Sequence, residues 1–180
     1  MTADKTQKRP YSIEPYDPNW VVKFNEIKKV LTGIFGEKAL IIEHIGSTSI
    51  PGMSAKPLVD VLIVVENMEP YLHEKELMER AGYRWAENYI GPDTIVFWKS
   101  DADERKTENV HVCVKDSPKA KQFINTRDYV RAHPDRAQAY SELKKRLKEQ
   151  FPNDYPAYRA GKQAFLDETE GLTREWLELK

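Results

Sequence analysis

The segment Leu58 to Val65 constrains the fold more than any other part of this 180-residue chain. It is apolar at both parities of a strand except at Asp60, so a strand formed here has two faces to cover. Such a strand lies inside a sheet with other elements packed above and below it, which implies an α/β architecture. Asp60 is also the only charge between Pro57 and Glu66. An isolated carboxylate in a buried strand carries a large desolvation cost unless something pairs with it. Lys56, Lys115, an arginine, backbone N–H groups or Mg²⁺ could fill that role.

The elements around this strand are readable from spacing. Asp17-Pro18 has the form of a helix start, since Asp caps well and Pro is tolerated in the first turn. Trp20, Phe24, Ile27, Leu31 and Ile34 then form one helical stripe, with Gly36 as its stop. Ala39 to Ile45 reads as a strand ending in Gly46-Ser47, and Ser47 to Ser54 as a loop or single helical turn. A helix is expected over Met68 to Ala81, with Leu72, Leu77 and Met78 as apolar contacts and Gly82 as its stop. A hairpin follows, Tyr83–Tyr89 with Thr94–Lys99 around Gly91-Pro92-Asp93. Asp101 to Lys106 is a charged turn, and Asn109 to Val114 a further strand. Ser117-Pro118 starts another helix. His133-Pro134 ends it and begins the next, whose stripe reads Ala137, Tyr140, Leu143, Leu147, Phe151. A last helix is expected from about Ala157 to Leu179. The sum is one α/β (α+β) domain over residues 11–180, a mixed β-sheet flanked by helices with a helical C-terminal third. Met1 to Pro10 shows no apolar periodicity and reads as a disordered leader.

Composition narrows the classes. There are 28 basic and 29 acidic side chains, a net charge of −1, which argues against a dedicated nucleic-acid binder. No apolar run is long enough to cross a bilayer and the N-terminus lacks a signal-peptide core, so a cytoplasmic location is expected. The single cysteine, Cys113, excludes an internal disulfide and a Cys-rich zinc site.

The candidate chemistry lies between Ile42 and Val65. Gly46 permits a tight turn, and Ser47, Thr48 and Ser49 place hydroxyls beside exposed N–H groups, which suits phosphate oxygens. A Gly-Ser turn before a strand bearing one Asp is equally a common capping arrangement, so both readings stand. His44 and His111 could form an imidazole pair near Asp60 if their strands are neighbours, serving phosphate, a proton or a metal. Hydrogen-bonded strand histidines are the alternative. Neither His73 nor His133 has ligand spacing with them. Lys56 could reach a phosphate or pair with Asp60. Arg127 and Arg131, four apart on one helical face, could clamp an anion, and they repel one another unless an anion or acid intervenes. Glu43 or Asp101 could add a second carboxylate, against the plainer readings of a surface strand residue and a turn residue. Lys144 to Lys148 reads as a solvated face, and Cys113 as a buried thiol.

Several of these strings together resemble the GrpB family, small domains also found fused to dephospho-CoA kinases. EHIGSTSIPGMSAKPLVDVLIVV, Glu43 to Val65, resembles its signature, and IEPYDPNW its entry to the first helix. Gly82-Tyr83, Phe97, Val110-His111-Val112 and RDYVRAHPDRAQAYSELKKRL, Arg127 to Leu147, follow in the family's order. The resemblance implies a nucleotidyltransferase-like fold, in which Gly46-Ser47 would bind a triphosphate and Asp60 a metal. This sequence departs from the superfamily two residues later, where a second acid is expected and Leu62 stands, on the same strand face as Asp60. Glu66 shares that parity but lies about 20 Å along the strand. The family's His-x-His on the later strand begins here with Asn109. The expected function is a Mg²⁺-dependent nucleotidyltransferase-like protein acting on a nucleoside triphosphate and an unknown acceptor. Asp60 and Glu43 would hold Mg²⁺. Gly46, Ser47 and Thr48 would cradle phosphates, Lys56, Arg127 and Arg131 would offset charge, and His44 or His111 would move a proton. The missing acid at Leu62 supports an alternative, a catalytically degenerate module binding a nucleotide, a CoA-like molecule or another phosphate-bearing small molecule. A structural or interaction protein without a ligand is the third reading.

Overall fold

The computed structural model describes residues 11–68, 71–91 and 94–180. The expected leader, Met1 to Pro10, and Pro92-Asp93 of the hairpin turn lie outside the described residues. Five strands form one sheet: β1 (Ala39–Ile45), β2 (Val59–Val65), β3 (Arg84–Gly91), β4 (Thr94–Ser100) and β5 (Lys106–Val114). Their spatial order is β1-β2-β5-β4-β3. The β2–β5 pair is parallel and the other pairs are antiparallel, so the sheet is mixed as expected.

β2 lies between β1 and β5, and both of its faces are covered. Val61 and Ile63 pack under α1 (Asn19–Phe35) and α2 (Tyr71–Arg80), with Phe24, Ile27, Leu31, Phe35 and Met78. Leu62 and Val64 pack on the opposite face with Ala120, Phe123 and Ile124 of α3 (Pro118–Ala132). Leu62, Val61 and Ile63 are fully buried, which is why this strand tolerates no polar residue beyond its first turns. The entry to α1 follows its sequence signal: Asp17 Oδ1 accepts from Asn19 N at 2.9 Å, while Gly36 ends the helix at a φ of 52°.

The structure differs from expectation in four places. The last helix is two, α5 (Tyr155–Gly161) and α6 (Gln163–Glu178), separated at Lys162. The cause is a second start signal: Asp154 Oδ1 accepts from Ala157 N at 3.0 Å, and Pro156 sits in the first turn. The helix before them, α4 (Pro134–Gln150), buries Ala137, Ser141, Lys144 and Leu147. The buried stripe is therefore rotated from the expected one, and Lys144 turns inward rather than joining a solvated face. β5 begins at Lys106, earlier than Asn109, because Ser100 pairs with Lys106 across the turn. Of the expected Met68–Ala81 helix, Tyr71–Arg80 is helical and Met68 and Ala81 are not; residues 69–70 lie outside the described residues, and Leu72 has no described side chain. Among the described residues, no helix is long and apolar enough to cross a membrane.

A third cluster holds the segment between β1 and β2 in place. Ile50 and Met53 are buried against Tyr129, Val130 and Ala137, with Leu172 and Trp176 packed alongside. Ser54 N donates to Ser141 Oγ at 3.1 Å, and Glu14 forms an antiparallel bridge with Ala55. The turn after β1 is thus gripped by the helical third of the chain.

Candidate functional site

Gly46 leaves β1 with a φ of 71° and ψ of −175°, a conformation costly for any residue with a Cβ. It is required for a second reason: a Cβ there would lie 2.5 Å from Asp60 Oδ2. Ser47–Ser49 then form a single 3-10 turn. Its hydroxyls divide the work. Ser49 Oγ donates back to Gly46 O at 2.6 Å, and Thr48 Oγ1 donates to Leu58 O at 3.2 Å. Thr48 is 1% exposed, so this member of the expected phosphate cradle holds the loop instead. Ser47 alone turns its hydroxyl to a cation, accepting from Lys144 Nζ at 3.1 Å.

Asp60 opens β2 opposite Ile45 and Asn109. Asn109 Nδ2 donates to Asp60 Oδ1 at 2.9 Å, and His111 Nε2 stands 3.9 Å from the same oxygen. Burial raises the Asp60 carboxyl, but the His111 imidazole, the Asn109 amide and Lys56 outweigh it, holding it below its ordinary value. His111 Nδ1 is buried with no hydrogen-bond partner.

Three lysines surround this corner from other elements. Lys56 Nζ donates to Tyr155 Oη at 2.6 Å and lies 4.6 Å from the centroid of that ring. Lys144 Nζ lies 4.4 Å from the Tyr140 ring, and Lys162 Nζ 4.8 Å from the Tyr158 ring. No carboxylate stands within ion-pair distance of any of the three among the described residues. Two of them are depressed by burial and by their neighbours. Burial, then Lys162 and Lys56, bring Lys144 down to about 7. Burial and Lys56 bring Lys162 down to about 8, against an upward pull from Tyr155 and Asp60. Burial raises the Tyr155 phenol, yet Lys56, Lys162 and Arg159 draw it below its ordinary value.

The remaining expected residues lie elsewhere or are already engaged. His44 and His111 do not form a pair: β2 separates their strands, and His44 stands opposite Val61 while His111 stands opposite Leu62, on opposite faces of the sheet. His44 stacks on Phe24 at 4.8 Å, and its Nε2 meets Thr48 Oγ1 at 3.0 Å. Burial pushes its imidazole down to about 4, against a smaller upward pull from Asp60. Arg127 donates to Glu43 Oε2 at 2.6 Å, to Asp128 Oδ1 at 2.8 Å and to His44 O at 3.2 Å. The acid that relieves its repulsion with Arg131 is therefore the protein's own. Arg131 spends Nε and Nη2 on Ser49 O. Glu43, His44 and Arg131 line a separate cleft of about 670 Å³ with Tyr16, Phe24 and Lys28. Asp101 is a turn residue bound to Arg105.

The donor set at Asp60 does not fit a protein-built Mg²⁺ site. A hard divalent cation takes several oxygen ligands. Here one carboxylate is offered, its Oδ1 is held by an amide, Leu62 is apolar and fully buried, and the nearby charges are ammonium groups. Among the described residues, no group of three or more His, Cys, Asp or Glu side chains is placed to hold a metal.

Sequence reasoning missed Lys144, Lys162, Tyr155 and the role of Asn109. One signal was present. Lys144 lies seven residues after Ala137 and three before Leu147, on the apolar side of its helix.

Residues 10–171 match the family described as GrpB protein. UPF0157 protein YqkA of Bacillus subtilis is 36% identical over 170 residues, covering 94% of this chain and 49% of that protein. Dephospho-CoA kinase of Mycolicibacterium paratuberculosis is 25% identical over 199 residues, covering 98% of this chain and 49% of its own length. The chain thus spans about half of each of these two relatives. The crystal structure of GrpB from Enterococcus faecalis superposes with a TM-score of 0.85 at 30% identity, covering 92% of this chain and 99% of that one.

Proposed function

This chain belongs to the GrpB family, and from that premise we propose that it binds a phosphate-bearing ligand of the nucleotide type beside Ser47 and Asp60. The observation that carries the reading is the set of three lysines, Lys56, Lys144 and Lys162, with no carboxylate within ion-pair distance among the described residues. A buried ammonium without a counter-charge is costly, and proteins normally pair it. Lys144 is 2% exposed and is held by nothing more than a serine hydroxyl and a tyrosine ring. An anion arriving at Ser47 supplies the missing charge to all three. Phosphate oxygens suit such donors, since ammonium groups serve as mobile point charges and the half-buried Ser47 and Tyr155 hydroxyls add hydrogen bonds. The match to a protein named dephospho-CoA kinase supports a ligand with a nucleotide portion and makes CoA a probe beside the nucleoside triphosphates.

Nucleotidyl transfer is the second reading. What favours it is Asp60, placed against Gly46 at the start of the second strand where the resemblance expects an acid. The poor fit of the donor set to Mg²⁺ weighs towards binding without transfer.

Isothermal titration with ATP, GTP, CTP, UTP and CoA in Mg²⁺-containing buffer tests the reading. Binding of at least one, lost in Lys56→Met, is the expected result. A folded protein that binds none of them refutes it. Release of pyrophosphate on a screened acceptor would move the conclusion to transfer.

A further inference from the structure

We propose that the lysine cluster takes the place of a divalent cation, so that this site holds phosphate oxygens of a mono- or diphosphate group without metal. The inference deepens the binding reading above and rests on it for the identity of the ligand, but on different observations for its substance.

The first observation is what Asp60 does. In a metal site the carboxylate presents its oxygens to the ion. Here Oδ1 accepts from Asn109, which fixes the carboxylate to the protein, and Oδ2 lies close against Gly46, which crowds that side. The position two residues on is Leu62, sealed under α3 with Ile45, Val64 and Ala120, so no further carboxylate on this strand face can join. The second observation is where the cations come from. Lys56 precedes β2, Lys144 lies on α4 and Lys162 at the α5–α6 junction, so three separate elements bring ammonium groups to one place. Each leans on the face of a tyrosine ring, which supports a cation without neutralising it. The charged and titratable groups facing Lys144 are Lys56 and Lys162, with Tyr140 beneath it. Lys162 also faces Tyr155, Tyr158, Arg159 and Asp60. Against one carboxylate the three lysines leave a local excess of positive charge when all are protonated. A divalent cation added to that excess would be repelled, whereas a phosphate dianion would balance it.

Two measurements separate this from a metal-bridged site. The first titrates the bound nucleotide in EDTA and in Mg²⁺. Affinities agreeing within about threefold are expected, while a loss of more than about tenfold in EDTA overturns the proposal and leaves the binding reading intact. The second is Asp60→Asn, which gives opposite signs for the two arrangements. If lysines hold the phosphate, removing the neighbouring negative charge tightens binding by about three- to tenfold. If a metal bridges them, the variant weakens binding or loses it. Inorganic pyrophosphate in EDTA is the probe that keeps the two readings apart. Pyrophosphate binding without any nucleotide binding sinks the nucleotide reading and upholds this one, and no binding of either sinks both. Circular dichroism of Asp60→Asn verifies the fold. Should the variant unfold, the EDTA comparison on the natural chain decides alone.

Discussion

Replacing Lys144 by methionine should stabilise the ligand-free protein, an unusual outcome for a substitution at a 2% exposed position. Methionine keeps an unbranched chain of similar length and removes the charge. Burial, then Lys162 and Lys56, lower the ammonium from 10.5 to about 7. At about 1.36 kcal/mol per tenfold change in proton affinity, that fall corresponds to a cost of about 4–5 kcal/mol at neutral pH. The lost hydrogen bond to Ser47 offsets about 1 kcal/mol of the gain. A net stabilisation of about 3–4 kcal/mol is expected, or about 6–16 °C in Tm for a chain of this size. The pH dependence supplies a second signature. Between the folded value of about 7 and the model-compound value of 10.5, the unfolded chain holds a proton on Lys144 that the folded chain has released. Stability of the natural protein therefore rises with pH across that window, and the cost is present in full below it. The variant lacks this contribution. Thermal denaturation of both proteins at a series of pH values is the assay. A Tm for Lys144→Met below that of the natural protein at neutral pH, or an unchanged slope from neutral to alkaline pH, refutes the view of Lys144 as an uncompensated buried charge.

Arg127→Gln should destabilise the fold by about 2–3 kcal/mol in urea denaturation, because it strips the ion pairs from Glu43 and Asp128 and leaves both carboxylates facing each other. Gly46→Ala should cost about 2 kcal/mol or more, since it adds a Cβ at positive φ against the Asp60 carboxylate. Isothermal titration of the same variant should show ligand affinity reduced, as the turn carrying Ser47 shifts. His44, pushed by burial to about 4, makes the fold acid-sensitive: from its ordinary 6.5 down to 4 the unfolded chain takes up a proton that the folded chain refuses. Stability should therefore fall by about 2–3 kcal/mol over that window in the natural protein. In His44→Gln the loss should be smaller, as read from denaturation midpoints at several pH values.

The sequence located the sheet and the turn well because both rest on local pattern. An apolar run at both parities requires two covered faces, and β2 has them. Asp17, Gly36 and Ser117 mark helix ends through contacts within a few residues. The site was legible only on its own strand. Gly46 lies against Asp60, since it directly follows Ile45, the residue opposite Asp60 across one antiparallel pair. What spacing could not supply was sheet order: the expected histidine pair fails because β2 lies between β1 and β5. Nor could it supply helix rotation. Spacing put Tyr140 and Leu143 in the apolar stripe and Lys144 on the solvated face, whereas the docking of α4 on the turn buries Ser141 and Lys144. Arg127 illustrates a third gap, for its partner Glu43 is 84 residues away.

The site's contacts also bear on how the chain folds. Ser47 meets Lys144 across 97 residues and Lys56 meets Tyr155 across 99. Closing loops of that size delays such contacts to a late stage, after the strands and local helices have formed. The β3–β4 hairpin and the helices can organise early, but the ligand corner exists only once the last helices return to the turn after β1. Charge repulsion among the lysines opposes that final step. A bound anion removes the opposition, so ligand should speed the docking of the C-terminal helices and slow their release. The corner thus ties the turn after β1 to the C-terminal helices, and a bound anion should strengthen that tie.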